Sequence, residues 1–121
     1  MQSIPPNVQH EITQFQQLEQ QYQMIASQMQ AANAELKEIE VTLEELKGVT
    51  DEKVYKSAGS VLFKKDREAV VAELTERQET LTLRTTTLER QEGRLRAKLQ
   101  ESQKKIQDML GTGAPTAPKG S

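Results

Sequence analysis

The sequence predicts a mainly α-helical fold, in which two long helices form an antiparallel coiled coil with a β-hairpin at the helix–helix connection. Two stretches, 7–47 and 66–110, contain no proline and almost no glycine, and both carry apolar residues in a heptad repeat. The segment between them, 48–65, is rich in β-formers and contains a glycine turn signal. Because only 3% of the 121 residues are aromatic, a thick globular core is hard to build.

The first helix is predicted over 7–47, after an N-terminal extension, residues 1–6, whose prolines cannot lie inside a helix. Asn7 is the expected N-cap and Gly48 the expected stop. The apolar residues form two rows, Phe15, Tyr22, Met29, Leu36 and Leu43 in one, and Leu18, Ile25, Ala32, Ile39 and Leu46 in the other. Their spacing alternates between three and four residues, which is typical of a coiled-coil seam.

The connection is predicted to hold a hairpin with strands at about 54–57 and 60–64 and a turn at Ala58-Gly59. Its apolar residues fall on both faces, Val54, Val61 and Phe63 on one, Tyr55 and Leu62 on the other. An isolated two-stranded hairpin is marginally stable in water, and we expect no other part of the chain to cover this one. Hairpins of several chains should therefore pair edge to edge and form an oligomer.

The second helix is predicted over 66–110, with Asp66 as N-cap and Gly111 as stop, followed by a disordered tail over 111–121. One row reads Leu74, Leu81, Leu88, Leu95, Ser102 and Met109, and the other reads Val71, Gln78, Thr85, Glu92, Leu99 and Ile106. The second row is polar in its centre and apolar at its ends. Two long helices joined by a short connection are expected to fold back antiparallel.

Composition argues against several classes of function. The net charge of −2 provides no basic field for nucleic acid, and no apolar run reaches the roughly 18 residues that span a bilayer. The chain has no cysteine and one histidine, His10, so a zinc site or a catalytic triad is not expected. No phosphate-binding glycine motif occurs. We therefore expect no enzyme activity, cofactor or metal, and a cytoplasmic location because signal-peptide features are lacking.

The second helix also carries a basic stripe, Arg90, Arg94 and Lys98, spaced four residues apart. The stripe could bind nucleic acid. However, glutamates lie between its basic residues along the helix, and this helix has no aromatic residue to stack on bases. Acidic residues outnumber basic ones in the first helix. An intramolecular charge match between the helices is therefore the expected role of the stripe.

Several apolar residues gather where the two chain ends should meet: Ile4, Val8, Ile12, Phe15, Ile106, Met109 and Leu110. They could simply close the coiled coil. Alternatively, they bind apolar segments of other proteins, because Val8 and Ile12 fall partly off the strict seam and the adjacent Met109 and Leu110 cannot both face inward. The pattern leaves both interpretations open.

Three segments resemble beta-type prefoldin subunits. They are Val54-Tyr55-Lys56-Ser57-Ala58-Gly59-Ser60-Val61-Leu62-Phe63-Lys64, the opening Ile4-Pro5-Pro6-x-Val8-Gln9, and Leu88-x-Arg90-Gln91-Glu92-x-x-Leu95. The resemblance covers about residues 3–110. A single hairpin is similar to the beta type, since alpha-type subunits carry two.

The resemblance implies an ATP-independent holdase chaperone, archaeal or a eukaryotic relative, with the undiversified match favouring the archaeal type. It implies a hetero-hexamer of two alpha and four beta subunits, whose hairpins form a double β-barrel platform and whose arm tips pass non-native proteins to a group II chaperonin. Platform residues would be Val54, Tyr55, Val61, Leu62 and Phe63, and client contacts would be Val8, Ile12, Phe15, Ile106, Met109 and Leu110. No nucleotide or metal site is implied.

Two other classes compete with a chaperone subunit. A structural or tethering coiled coil would use the hairpin as a tight reversal and would bind no clients. An RNA-binding helical arm, like the antiparallel arms appended to some tRNA synthetases, would show salt-dependent affinity for nucleic acid, which the acidic first helix disfavours.

Overall fold

The computed structural model describes residues 4–111. Two long helices flank one antiparallel hairpin, in the order α1 (Pro6–Lys47), β1 (Lys53–Ala58), β2 (Val61–Asp66) and α2 (Arg67–Gly111). The predicted fold class is therefore confirmed for the single chain. Gly111, expected to stop the second helix and begin a disordered tail, is instead the last residue of α2, so that expectation is wrong. The rest of the expected tail, 112–121, lies outside the described residues. No stretch of helix within residues 4–111 is apolar enough, over the length required, to cross a membrane.

The first helix begins at Pro6, inside the segment expected to precede it. The Pro5 carbonyl accepts hydrogen bonds from the backbone N–H groups of Val8 (3.0 Å) and Gln9 (2.9 Å), and Asn7 lies within the helix rather than capping it. Proline suits a first helical position, because its fixed φ is helical and the N–H it lacks would have no partner there. The expected cap at Asn7 is therefore wrong.

The strands are longer than predicted, and the turn between them is shifted by one residue. Ala58 pairs with Val61, so the two turn residues are Gly59 and Ser60, not Ala58 and Gly59. Gly59 has φ +63°, and no other described residue has a positive φ. A positive φ at the first turn residue only is the pattern of a type II′ turn, which favours glycine at that position.

The described part of the chain divides into two compact units. We call residues 29–87 the hairpin unit, and residues 4–28 with 88–111 the terminal unit. In the hairpin unit, Ala32, Ile39 and Leu81 are buried at the centre of an apolar cluster. Partly buried leucines of the predicted rows pack around them: Leu36, Leu43 and Leu74.

The terminal unit has a more polar seam. Val8 and Leu88 are its most buried apolar side chains, at 2% and 4% exposure, while Glu11 and Ser102 are buried with them. The helices run antiparallel here: Glu11 contacts Ser102, and eleven residues further along α1, Tyr22 contacts Glu92.

Candidate functional site

The hairpin exposes apolar side chains on both faces. Tyr55 and Leu62, on one face, are 68% and 66% exposed, and Val61 and Phe63, on the other, are each 51% exposed. β-branched and aromatic residues favour the extended strands that display them. The described residues contain only these two strands, so each strand has one edge without a backbone partner. Such a surface is suited to strand pairing with another chain.

One side of the hairpin is held against α2 by two ion pairs. The Nζ atoms of Lys56 and Lys65 lie 3.4 and 3.2 Å from the carboxylate of Glu73. The two ammonium groups, chiefly that of Lys65, hold the pKa of Glu73 below its ordinary value. Val54 is half-buried on this side. The expectation that the hairpin has no cover from its own chain is therefore wrong for this side.

A groove of about 540 Å³ lies between the hairpin and the helices of the hairpin unit. Val54 and Tyr55 line it from β1, while Leu46, Val70 and Leu74 line it from the helices. The first and last residues of the hairpin, Lys53 and Asp66, form an ion pair that lowers the pKa of the Asp66 carboxyl. The hairpin thus keeps a defined position while most of its apolar surface remains open.

The end of the terminal unit presents a second apolar surface. Ile4 and Leu110 are 44% and 55% exposed. Four further residues of the predicted client surface are half-buried beside them: Ile12, Phe15, Ile106 and Met109. The structure thus leaves five of the six predicted residues at least partly accessible.

Val8 is the exception, with 2% of its surface exposed. It lies seven residues before Phe15 and therefore continues the same heptad row. The prediction that Val8 falls off the seam is wrong. Its side chain provides almost no accessible surface while the two helices are paired.

A buried polar contact next to this surface was missed from the sequence. Glu11 is 8% exposed and Ser102 is 5% exposed. The Ser102 hydroxyl donates to Glu11 Oε2 at 2.9 Å, and Lys105 Nζ lies 3.3 Å from Glu11 Oε1. The Ser102 hydrogen bond, helped by Lys105, holds the pKa of Glu11 below its ordinary value. Extending the heptad back from Leu18 by seven residues would have found this position.

A second polar contact crosses the seam at Glu92. The Tyr22 hydroxyl donates to Glu92 Oε2 at 2.7 Å, and Arg96 lies 2.6 Å from Glu92 Oε1. Arg96 and the Tyr22 hydroxyl lower the pKa of Glu92, and the same carboxylate raises the pKa of Tyr22. Thr85, another polar residue in the centre of the second row, has a hydrogen-bond partner in its own helix: its hydroxyl donates to the Leu81 carbonyl at 2.7 Å.

The basic stripe, Arg90, Arg94 and Lys98, does not make the expected charge match. All three side chains are exposed, and none forms an ion pair with the residues that the structure describes. In the hairpin unit, Arg77 instead makes a bidentate ion pair with Glu35, with 2.8 Å between Nε and Oε2 and 3.1 Å between Nη2 and Oε1. Across residues 4–111, no cluster of three or more potential metal-ligating side chains occurs.

Comparison with known proteins gives one consistent result. A family model described as "Prefoldin subunit" matches residues 9–113. A prefoldin subunit beta of Archaeoglobus fulgidus is 44% identical over 115 residues, which cover 94% of this chain and 99% of the relative. That of Methanosarcina mazei is 42% identical over 112 residues, 92% of this chain and 96% of the relative.

A solved structure agrees with the sequence comparisons. The crystal structure of the prefoldin beta subunit from Thermococcus strain KS-1 is similar to this chain with a TM-score of 0.78 and 39% identity. The match covers 98% of this chain and 100% of that one.

Proposed function

This chain belongs to the prefoldin subunit family, among its beta-type members, and we propose that it is an ATP-independent chaperone subunit that holds non-native proteins. The family resemblance of its sequence is thereby confirmed, and membership supports a chaperone role in general. The observation that carries the finer proposal is the exposure of apolar side chains in two places, the hairpin and the end of the terminal unit. We assign assembly to the first and client contact to the second.

Assembly is proposed to proceed through the hairpin. Strand edges and the exposed side chains of Tyr55, Val61, Leu62 and Phe63 would pair with hairpins of other subunits, with Val54 packed inside. The partners are prefoldin alpha subunits, in a cytoplasmic hetero-hexamer of two alpha and four beta chains built on a double β-barrel. Burying one Leu or Phe side chain stabilises such a contact by roughly 1.5–3 kcal/mol, so a few residues per chain suffice.

Client contact is proposed at the end of the terminal unit. The partly accessible residues there are Ile4, Ile12, Phe15, Ile106, Met109 and Leu110. A half-buried apolar side chain loses little when it exchanges a neighbour of its own chain for an apolar segment of a client. Each contact is weak, but several subunits acting together gain roughly 10²–10⁴ in avidity. A tighter acceptor, proposed to be a group II chaperonin, can therefore remove the client without nucleotide.

The experiment is aggregation of an unfolded protein, followed by light scattering, in the presence of the complex assembled with an alpha-type partner. The variant Ile12→Ser with Met109→Ser and Leu110→Ser should protect the client poorly, with native mass and helix content unchanged. Met24→Ser is the matched control, because Met24 is 61% exposed on α1 of the same unit, outside the proposed surface. Full protection by the triple variant would move the client site elsewhere, and loss of protection with Met24→Ser would extend it along α1.

One observation favours a second function. The basic stripe faces solvent without an ion-pair partner in the described chain, which is the feature an RNA-binding arm requires. Binding of a short RNA duplex that weakens steeply between about 50 and 200 mM salt, and that disappears with Arg90→Gln and Arg94→Gln, would support that function.

A further inference from the structure

We propose that the buried Glu11–Ser102 pair, with Lys105, is a positioning element that sets the register of the two helices at the end of the terminal unit and keeps that end easy to open for clients. The inference rests on the proposed function, because it concerns how the client surface becomes available. It assigns a role to residues that the family resemblance did not single out.

The position of the pair in the heptad pattern argues for control of register. Glu11 continues the row of Leu18, and Ser102 continues the row of Leu95, so both occupy seam positions. A slip of one heptad would set Glu11 against an apolar neighbour of Ser102 in its row, either Leu95 or Met109. A buried carboxylate without a hydrogen-bond donor is strongly unfavourable, so the paired register is selected over the slipped ones.

The same pair argues for easy opening. A hydrogen-bonded ionic contact in a coiled-coil seam stabilises it less than an apolar pair of similar volume, because both groups lose their hydration. Glu11 is charged at neutral pH, since the Ser102 hydroxyl and Lys105 hold its pKa below the ordinary value. Its neighbours along the helix, Ile12 and Phe15, are only half-buried. This end therefore separates at a lower cost than an all-apolar seam would.

Opening of this end would also explain how Val8, which is buried while the helices are paired, could contact a client. Its side chain is 2% exposed in the paired state, yet it lies one helical turn from Glu11. Separation of Glu11 from Ser102 uncovers Val8 together with the half-buried residues beside it. The client surface is then larger when the helices part than the paired structure displays.

Replacement of the pair by apolar residues is the first test. Glu11→Leu with Ser102→Leu should raise the midpoint of thermal unfolding, slow amide hydrogen exchange over 8–18 and 95–106, and lower client protection at unchanged complex mass. Thr85→Val is the matched control, because it removes the hydroxyl of a buried seam residue, 9% exposed, in the hairpin unit. That control should leave client protection unchanged. Faster exchange in the Leu variant, or full protection despite slower exchange, overturns the proposal.

Reversible cross-linking of α1 to α2 at residues 11 and 102 provides a second test, which does not depend on the stability of the Leu variant. The chain has no cysteine, so Glu11→Cys with Ser102→Cys introduces the only thiols. A short bis-methanethiosulfonate cross-linker, which forms one disulfide with each thiol and releases methanesulfinate, should abolish most client protection, and reductant should restore it. Equal protection by the cross-linked and reduced forms shows that opening is not needed and overturns the proposal. Absence of protection by the wild-type complex would instead contradict the proposed chaperone function.

Discussion

Gly59 and Gly93 show how differently one residue type acts at two places in this chain. Gly59 adopts φ +63° in the hairpin turn, a conformation that costs a residue with a side chain roughly 1–2 kcal/mol. Gly93 lies inside α2, and a Cβ built there meets nothing within 4 Å. The first glycine is required by its backbone angle, whereas the second weakens the helix that contains it.

Alanine substitutions at these two glycines should therefore have opposite effects. We expect Gly59→Ala to destabilise the hairpin by about 1 kcal/mol, and Gly93→Ala to stabilise the protein by about 0.5–1 kcal/mol. Chemical unfolding followed by circular dichroism measures both changes. A stabilising Gly59→Ala would show that the turn can adopt another conformation at little cost.

Carboxyl groups in ion pairs make stability depend on pH. The Arg77 guanidinium holds the pKa of Glu35 below its ordinary value of 4.5. Because the pKa is lower in the folded state, this pair stabilises the fold above that value, and the contribution is lost as the pH falls through the lowered pKa. Glu11, Asp66, Glu73 and Glu92 shift in the same direction.

The thermal midpoint is therefore expected to fall as the pH is lowered from about 5 to about 3. Glu35→Gln should lower the midpoint at neutral pH and flatten this dependence, with the difference from wild type vanishing in acid. Glu38→Gln, on the same helix but outside any ion pair of the described chain, is the control. A midpoint that is constant across this range would contradict the assignment of these ion pairs.

At the scale of elements, apolar periodicity was enough to predict both helices, and the short connection between them was enough to predict that they run antiparallel. Apolar periodicity did not predict how far the seam extends towards the N-terminus. The seam continues through Val8 and Glu11, but the charge of Glu11 interrupts the apolar repeat. The partner of Glu11 is Ser102, 91 residues away, so nothing local indicates that the charge is accommodated. Likewise, the position of the hairpin depends on ion pairs to Glu73 on α2, which strand propensity cannot predict.

The seam and the outer helix faces should respond very differently to truncation. Ile39 is 4% exposed in the core of the hairpin unit, and Leu83 is 72% exposed on α2 of the same unit. We expect Ile39→Ala to cost about 2–5 kcal/mol and Leu83→Ala to change stability by less than about 0.5 kcal/mol. Urea unfolding at constant protein concentration measures both, and similar losses would mean that Leu83 is covered in the assembled state.

For the whole molecule, the central question is which surface brings subunits together. The hairpin combines strand edges with exposed apolar side chains, and its ion pairs to α2 keep it in place before any partner arrives. Assembly should therefore require little rearrangement of the subunit. This favours affinity, because the hairpin is already ordered in the free chain and loses little conformational entropy on binding.

Charging the hairpin should abolish assembly and leave the helices intact. We expect Leu62→Asp with Phe63→Asp to give a single mass equal to the free chain in light scattering, with unchanged helix content. Leu83→Asp also charges an exposed leucine, but on α2, and should assemble normally. A hairpin variant with the wild-type mass would transfer assembly to the helices.

The division into two units also has a consequence for biosynthesis. Residues 29–87 are contiguous, so the whole hairpin unit is available to fold once residue 87 has left the ribosome. Residues 4–28 can complete the terminal unit only after 88–111 have been synthesised, and only then can the Ser102 hydroxyl donate to the Glu11 carboxylate. A nascent subunit is therefore expected to complete the surface proposed for assembly before the end proposed to hold clients, so joining a complex would precede client binding.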